Sequence, residues 1–262
     1  MTVLTRSMRV VEAELVVYRR TWRGTVISSF VNPILFLSAM GLGLGSLVDS
    51  SGADLGMSYL TFVASGLIAA TAMQAGAGEG AFPVMAGIKW RKEFHATITT
   101  PLSPADIVYG RFLWSIIRIT FILVVFGVIS AMFGALDLGH ALLAVPPGVL
   151  TGVAFTTVVT AFTVTREDEQ SLSTLFRFAI TPLFLFSGTF FPISQLPDFL
   201  QNVAYATPLF HGVELVRKIA LPGVDQSAVT SMPIWIHVVY LTAMTVIGLV
   251  LAARFLDRRL RP

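Results

Sequence analysis

The chain has 262 residues, of which 55% are hydrophobic and 13% are charged, and its mean hydropathy is +0.77. An ordinary soluble domain carries roughly 25% charged residues, so this composition excludes a soluble globular protein and indicates a membrane protein. The net charge of +3 does not indicate nucleic-acid binding, because the cations lie at the ends of apolar runs and not on one soluble face. The absence of cysteine excludes disulfides, thiolate metal sites and a cysteine nucleophile.

The first 24 residues predict an amphipathic helix at the membrane surface. Its apolar stripe repeats every three or four positions and consists of Leu4, Met8, Val11, Leu15, Tyr18 and Trp22. Arginines occupy other parts of the helical wheel, so we expect the helix to lie in the interface with Trp22 at the lipid head groups. The alternative is that this helix packs on the inner side of the protein itself.

Six apolar runs are long enough to cross a bilayer as helices, which takes about 20 apolar residues. They occupy residues 25–48, 59–77, 112–134, 142–164, 172–191 and 233–253. We therefore expect an all-α polytopic membrane protein with six transmembrane helices in a single domain over residues 1–262. All 18 lysines and arginines except Arg217 and Lys218 flank one face of this arrangement, so the positive-inside rule places both termini in the cytoplasm.

A charged segment, residues 87–106, separates the second run from the third. Its sequence over positions 89–95 is rich in cations and aromatic rings, which predicts a short cytoplasmic helix with rings against lipid head groups or a partner. We expect Pro101 to end this helix and Ser103 to cap the next, with Pro104 at its first position and Asp106 in its first turn. The alternative is a basic loop that only sets the orientation of the protein in the membrane.

Several charged residues lie near the ends of the spans. We interpret Glu79 as an acid at head-group level, with a role in energy coupling as the alternative. Arg111 and Arg118 share one helix face, and we expect Arg111 to be in water and Arg118 to reach toward the interface. Functional roles for Glu79, Arg118 and Arg177 are left open.

The segment after the fifth run is too apolar for a free loop. Prolines divide it into pieces of about ten residues, which are too short to span, so we expect an outer re-entrant helical hairpin before the last span. Glu214 precedes Arg217 by three positions and Lys218 by four, which predicts ion pairs on an outer face. Backbone that turns at membrane depth must be shielded, so the hairpin should cap a vestibule or contact a second subunit. The residues that mark the hairpin are Pro192, Pro197, Pro208 and Glu214.

Three motifs resemble those of one protein family. They are Phe82-Pro83-Val84-Met85, the segment TPLSPADI at residues 100–107, and TPLFLFSGTFFP at residues 181–192 with the following Gln195-Leu196-Pro197 and Pro208-Leu209. They resemble the permeases of type-2 ABC exporters, nearest the nodulation lipo-oligosaccharide and daunorubicin-resistance branch, and the resemblance covers essentially the whole chain. It implies an interfacial helix (1–24), five spans (25–191), a hairpin and loop (192–232), a sixth span (233–254) and a cytoplasmic tail (255–262).

The resemblance also implies a cytoplasmic coupling helix that docks on an ATPase subunit. The residues in this helix are Lys89, Trp90, Arg91, Lys92, Glu93, Phe94 and His95. The residues themselves also indicate that a separate subunit must supply the energy for uphill export. No lysine of the chain stands in a Gly-x-x-x-x-Gly-Lys-Ser/Thr phosphate loop, so the chain has no ATP-binding site of this kind. We therefore expect a non-enzymatic transport subunit of the bacterial inner membrane. Its partners would be two ABC ATPase copies that bind ATP and Mg, a second identical or homologous permease, and membrane lipid, without nucleic acid.

The expected cargo is an amphiphilic or hydrophobic molecule, such as a drug, a lipid, a glycolipid or a polysaccharide. Its path could be lined by Met40, Thr156, Thr160, Phe184 and Ser187, with ordinary helix packing as the alternative for these residues. An ion-coupled secondary transporter of small hydrophobic molecules is the alternative function, although nearly every acid lies at a span end or in a loop. An intramembrane enzyme is disfavoured, because the four histidines are scattered and show no HExxH spacing.

Overall fold

The computed structural model of the chain describes residues 3–45, 47–48, 57–221, 230 and 232–261. Every regular element in these ranges is helical, as expected from the sequence. Five helical segments are long and apolar enough to cross a membrane: Thr5–Gly45, Tyr59–Trp90, Pro104–Met132, Leu138–Val164 and Ile234–Leu260. The chain is therefore a multi-pass helical membrane protein.

The first helix, α1 (Val3–Leu37), continues without a break into a π-helical segment, Ser38–Gly45. The predicted boundary between the interfacial helix and the first span, at residues 24 and 25, lies inside this continuous helix. Helix α1 packs mainly against the helix over residues 104–132. The interfacial position of the first 24 residues stays a prediction.

Helix α2 (Tyr59–Met85) is the centre of the bundle, and its sequence explains why. It is rich in alanine and glycine, so its backbone can approach its neighbours closely. A Cβ atom added at Gly76 would overlap the carbonyl oxygen of Gly152, and one at Gly80 would lie 2.6 Å from the carbonyl oxygen of Thr156. We call this contact between α2 and the sixth helix the glycine seam.

The handle, residues 86–97, follows α2 as a π-helical turn, Ala86–Trp90, and a short helix, α3 (Glu93–Thr97). Helix α4 (Pro104–Met132) then begins as predicted, with Ser103 and Asp106 forming a capping box. Helices α5 (Leu138–Leu143) and α6 (Val145–Val164) run back toward the handle. The Gly148–Gly152 pair of α6 lies in close contact with side chains or backbone of α2 and α4.

The fifth predicted span is shorter than expected. It consists of α7 (Gln170–Leu175), a π-helical turn at Phe176–Ile180, and α8 (Thr181–Phe186), and it is absent from the five spanning segments found in the described ranges. The expected helix over 172–191 ends at Phe186 because Gly188 adopts φ +82°, a left-handed conformation that glycine allows without a Cβ clash.

Two short helices follow at the end of the bundle opposite the handle. They are α9 (Asp198–Tyr205) and α10 (Pro208–Ala220), and each begins at or directly after a proline, as predicted. Helix α10 packs into the bundle against α2, α6 and the last helix, α11 (Ile234–Leu260). Its core-facing residues include Leu209, Val213 and Val216, which belong to the main hydrophobic core around α2.

Candidate functional site

The handle is not the single short helix predicted over residues 89–95. The π-helical turn ends at Trp90, and Lys92 takes φ 52° and ψ 23°, a left-handed conformation that interrupts the helix before α3. The left-handed conformation costs a lysine about 1–2 kcal/mol. Contacts on either side of Lys92 must therefore stabilise this interruption of the helix. Those contacts come from the two aromatic rings of the handle and from Lys89.

The two rings of the handle have different environments. Phe94 is only 4% exposed and packs against Gly87, and the guanidinium carbon of Arg111 lies 5.9 Å from its ring centroid. Phe94 is therefore an internal anchor, and the expectation that it faces lipid or a partner is wrong. Trp90 is 49% exposed and donates its indole N–H to Glu169 Oε1 at 2.9 Å. Of the two rings, only that of Trp90 presents a large exposed surface.

Residues 165–169, which connect α6 to α7, lie next to the handle and form a surface together with it. The Lys89 ammonium donates to the backbone carbonyl of Glu167, and Arg259 from the end of α11 donates to the carbonyl of Arg166 at 2.6 Å. Asp168 accepts hydrogen bonds from the Ser171 hydroxyl and backbone N–H, and these bonds lower the pKa of its carboxyl group. We call residues 89–95, 165–169 and 258–259 together the handle surface.

Two ion pairs connect α1, α2 and α4 behind the handle. Arg118 Nη1 lies 2.9 Å from Glu79 Oε1, and its Nη2 donates to the Thr25 hydroxyl at 3.2 Å. Arg111 pairs with Glu14 and is 7% exposed, so the expectation that it is in water is wrong. Helix packing buries Arg111 and partly buries Arg118, and a buried or partly buried charge needs such a partner. Glu79 is therefore an ion-pair partner of Arg118, and its position at head-group level stays a prediction.

Glu214 and Arg217 are also placed differently from the prediction. Both lie inside the bundle, and Glu214 Oε2 accepts from the backbone N–H and hydroxyl of Thr230, with no ion pair to Arg217 or Lys218 in the described ranges. Arg217 is 2% exposed, with its guanidinium 3.8 Å from the Phe62 ring centroid and a hydrogen bond to the Phe62 carbonyl. The residues of α10 are packed too tightly against α2 for the expected outer charged face.

The predicted path residues do not converge on one surface. Thr156 and Thr160 are buried beside the glycine seam, and the Thr156 hydroxyl donates to the Gly152 carbonyl at 3.0 Å. Ser187 is fully buried and lies 3.2 Å from the Thr207 hydroxyl. Phe184 packs edge-on against Phe190, and Met40 packs partly buried against the main core. Within one copy of the chain, these side chains fill helix contacts.

A groove with both polar and apolar walls lies elsewhere, between α1, α2 and α4. Its volume is about 230 Å³, and its lining includes Ser29, Asn32, Thr71 and Gln74, of which Asn32 and Gln74 are exposed. We call it the amide groove. Sequence reasoning missed it, although the signal was present: each amide interrupts a long apolar run, and polar groups at that depth must meet water or polar partners.

Two histidines 26 positions apart also come together. His211 Nδ1 of α10 lies 2.9 Å from His237 Nδ1 of α11, and Tyr240 stacks on the His211 ring with centroids 4.0 Å apart. Sequence spacing gave no signal for this pair, which depends on how α10 folds back onto α11. No group of three or more potential metal-ligating residues occurs in the part of the chain that the structure describes. The His211–His237 pair is a direct contact between α10 and α11.

Comparison with known proteins gives matches over most of the chain. A family model described as "ABC-2 type transporter" matches residues 7–221. Nodulation protein J of Rhizobium leguminosarum bv. trifolii is 32% identical over 258 residues, which cover 94% of this chain and 93% of that protein. Nodulation protein J of Rhizobium meliloti (strain 1021) is 29% identical, with coverage of 94% and 90%. Inner membrane transport permease YadH of Escherichia coli (strain K12) is 23% identical, with coverage of 76% and 77%.

Proposed function

The chain belongs to the ABC-2 type transporter family, and from this premise we propose that it is the membrane-spanning subunit of an ATP-driven exporter. The cargo is an amphiphilic or hydrophobic molecule such as a drug, a lipid or a glycolipid, and a separate ATPase supplies the energy. The observation that carries the proposal is the handle surface, where the exposed, hydrogen-bonded ring of Trp90 stands among charged side chains. Exposed tryptophan beside cations is typical of residues that dominate protein interfaces.

The proposed arrangement in the membrane has six spans and both termini in the cytoplasm. Its support is the distribution of lysine and arginine, since the handle and the basic ends of α1 and α11 lie at one end of the bundle. The helical stretch 170–186 would be the fifth span, and α9 with α10 would form the outer re-entrant hairpin. One relative is named an inner membrane permease, which supports the inner membrane as the location of this chain.

The proposed complex contains two ATPase copies, which bind ATP and Mg, and a second permease, identical or homologous. Two ATPases that close on each other are related by a twofold axis, and this symmetry favours two permeases. Each handle would receive the motion of one ATPase. Two sets of contacts could carry this motion into the bundle: the Arg111 guanidinium, paired with Glu14, lies over the Phe94 ring, and the Trp90 indole N–H donates to Glu169 directly before α7.

We place the cargo path along the amide groove and not among the buried threonines of the original prediction. The supporting observation is that Asn32 and Gln74, each within an apolar run expected to span, expose their amides on the surface of a single copy. In a dimer, such a surface can face a second copy and enclose a polar route for the hydrophilic part of an amphiphile. The apolar residues beside it would contact the rest of the cargo.

The test is reconstitution of the chain with its cognate ATPase in lipid vesicles. Trp90→Ala should weaken ATPase binding by about 30-fold, because truncating a central interface tryptophan costs about 2 kcal/mol. The matched control is Trp235→Ala, an exposed tryptophan at the opposite end of the bundle, which should leave binding unchanged. Charge reversal at Lys89, Arg91 and Lys92 should uncouple export from ATP hydrolysis.

The same vesicles distinguish the alternative function. Export that persists without the ATPase and follows an imposed proton or sodium gradient would identify an ion-coupled secondary transporter and contradict the proposal. Fully coupled export by both the Trp90→Ala chain and the charge-reversed chain would also contradict it, because the handle surface would then have no part in coupling.

A further inference from the structure

A second groove, separate from the amide groove, opens sideways between α1 and α4. Its volume is about 440 Å³, and its walls include Leu15, Trp22 and Val26 from α1 and Ile117 and Phe121 from α4. Trp22 and Leu15 are exposed, so the groove faces out of the bundle. Its lining is almost entirely apolar, apart from two arginines, and we call it the lateral groove.

Aromatic rings and Arg118 form the floor of the lateral groove. Tyr18 and Trp114 meet edge to face with ring centroids 5.5 Å apart, and Trp114 is buried. Arg118 lies over the Tyr18 ring at 5.5 Å and is held there by its ion pair with Glu79. The lateral groove and the amide groove have no lining residue in common.

The chemistry of the groove changes along its length. At one end Arg19 lines the groove, and Arg23, outside its lining, follows four positions later on the same face of α1; both are exposed, and neither forms an ion pair within the described ranges. Trp22 lies between them, and Arg23 lies over its ring at 6.0 Å. At the other end Val26 and Phe121 belong to apolar runs that enter the hydrocarbon. Tryptophan with arginine marks the head-group level, so the groove begins at the lipid phosphates and continues along the acyl chains.

We propose that the lateral groove binds one anionic phospholipid of the inner leaflet, with its phosphate on Arg19 and Arg23 and an acyl chain between Trp22, Ile117 and Phe121. The occupant follows from charge complementarity, because two unpaired cations at head-group level favour an anionic head group and the apolar groove below them fits a chain. The bound lipid fills the gap between α1 and α4 and so stabilises the helix pair that carries the Arg111–Glu14 contact. Only the choice of leaflet depends on the proposed function.

The experiment uses the full chain without any ATPase, in mixed micelles with dioleoylphosphatidylglycerol or dioleoylphosphatidylcholine. Native mass spectrometry measures bound lipid, and thermal unfolding measures the shift in Tm. The wild type should retain phosphatidylglycerol in preference to phosphatidylcholine and gain Tm only from the anionic lipid. Each arginine should contribute about fivefold to this preference, so Arg19→Gln with Arg23→Gln should remove most of it.

Two further variants make the test specific. Arg254→Gln with Arg258→Gln removes two exposed cations from α11 and should leave the preference unchanged. Ile117→Trp should fill the groove and reduce retention of both lipids while keeping the arginines. The proposal is overturned if the two lipids bind wild type equally, if the α11 variant loses as much preference as the α1 variant, or if Ile117→Cys cross-links to a second copy in lipid. An export defect with normal lipid binding would concern the proposed function alone.

Discussion

At the scale of single residues, the Arg118–Glu79 pair explains how charges are tolerated inside this bundle. Their side chains are 25% and 11% exposed, and the two charged groups lie 2.9 Å apart. Arg118 also holds the Thr25 hydroxyl, so one guanidinium connects α1, α2 and α4. A charge in such a position is acceptable only while its partner remains, which makes the pair sensitive to single substitutions.

We predict that Arg118→Met destabilises the protein by roughly 3 kcal/mol, because it leaves the Glu79 carboxylate without its partner. Glu79→Gln combined with Arg118→Met should recover most of that loss, since no unpaired charge is left. Thermal unfolding of the chain in lipid nanodiscs measures both variants. A double variant that is less stable than Arg118→Met would mean that Glu79 has favourable contacts independent of Arg118.

Local and distant contacts differ in how far they can be predicted. The capping box of Ser103 and Asp106 was predictable, because both partners lie within one turn of the same helix. The burial of Arg111 was not, because Glu14 is 97 positions away and meets it only where α1 crosses α4. The sequence spacing predicted an ion pair between Glu214 and Arg217. In the structure the Glu214 carboxylate instead accepts a hydrogen bond from Thr230, and the Arg217 guanidinium donates one to the Phe62 carbonyl of α2.

At the scale of helices, the glycine seam sets the distance between α2 and α6. Gly80 faces α6 so closely that an added Cβ would lie 2.6 Å from the Thr156 carbonyl oxygen and 2.9 Å from the Thr160 backbone nitrogen. Both atoms belong to the backbone, which cannot move aside as a flexible side chain does. Gly78, two positions earlier, has nothing within 4 Å of an added Cβ.

We predict opposite outcomes for alanine at these two glycines. Gly80→Ala should destabilise the protein by about 1–3 kcal/mol, because the helices must separate to accept the methyl group. Gly78→Ala should be neutral or stabilise the helix by up to about 1 kcal/mol, because alanine favours helical backbone. Unfolding midpoints in one detergent compare the pair. Equal effects of the two substitutions would show that packing at the seam does not limit stability.

Helix boundaries were predictable where proline or a cap marks them, as at Pro104 and Pro208. They were not predictable where backbone conformation alone ends a helix. The run 172–191 reads as one apolar span, but Gly188 turns left-handed and the helix ends at Phe186. The break at Lys92 is similar, because nothing about a lysine in a basic segment indicates φ 52°. Tertiary contacts decide such positions.

At the scale of the whole molecule, composition and hydrophobic runs predicted the all-helical, multi-pass class, whereas they did not predict the location of the polar groove. Hydroxyls on α6 suggested a lining, but a single chain does not indicate which helix face meets another helix. Thr160 is buried, whereas Asn32 and Gln74 are exposed. The location of polar groups relative to the surface of the bundle therefore depends on packing that the sequence pattern does not contain.

We predict that Asn32→Leu combined with Gln74→Leu lowers export at least several-fold, because the amide groove loses its hydrogen-bonding groups while ATPase binding at the distant handle is retained. The control Thr160→Val, close in shape to threonine and buried near the seam, should change export little. Vesicle export and ATPase binding are measured for both. Loss of export in Thr160→Val, with normal export in the leucine variant, would support the interior path of the original prediction.

The half-exposed indole of Trp90 also has an optical consequence. Its ring is partly in water while its N–H is bonded to Glu169, so covering the ring by a docked protein should shift its emission to shorter wavelength. A chain with phenylalanine at Trp22, Trp114 and Trp235 would keep this single fluorophore. Its emission would then report, during each turnover, whether the ATPase stays bound to the membrane subunit or dissociates from it.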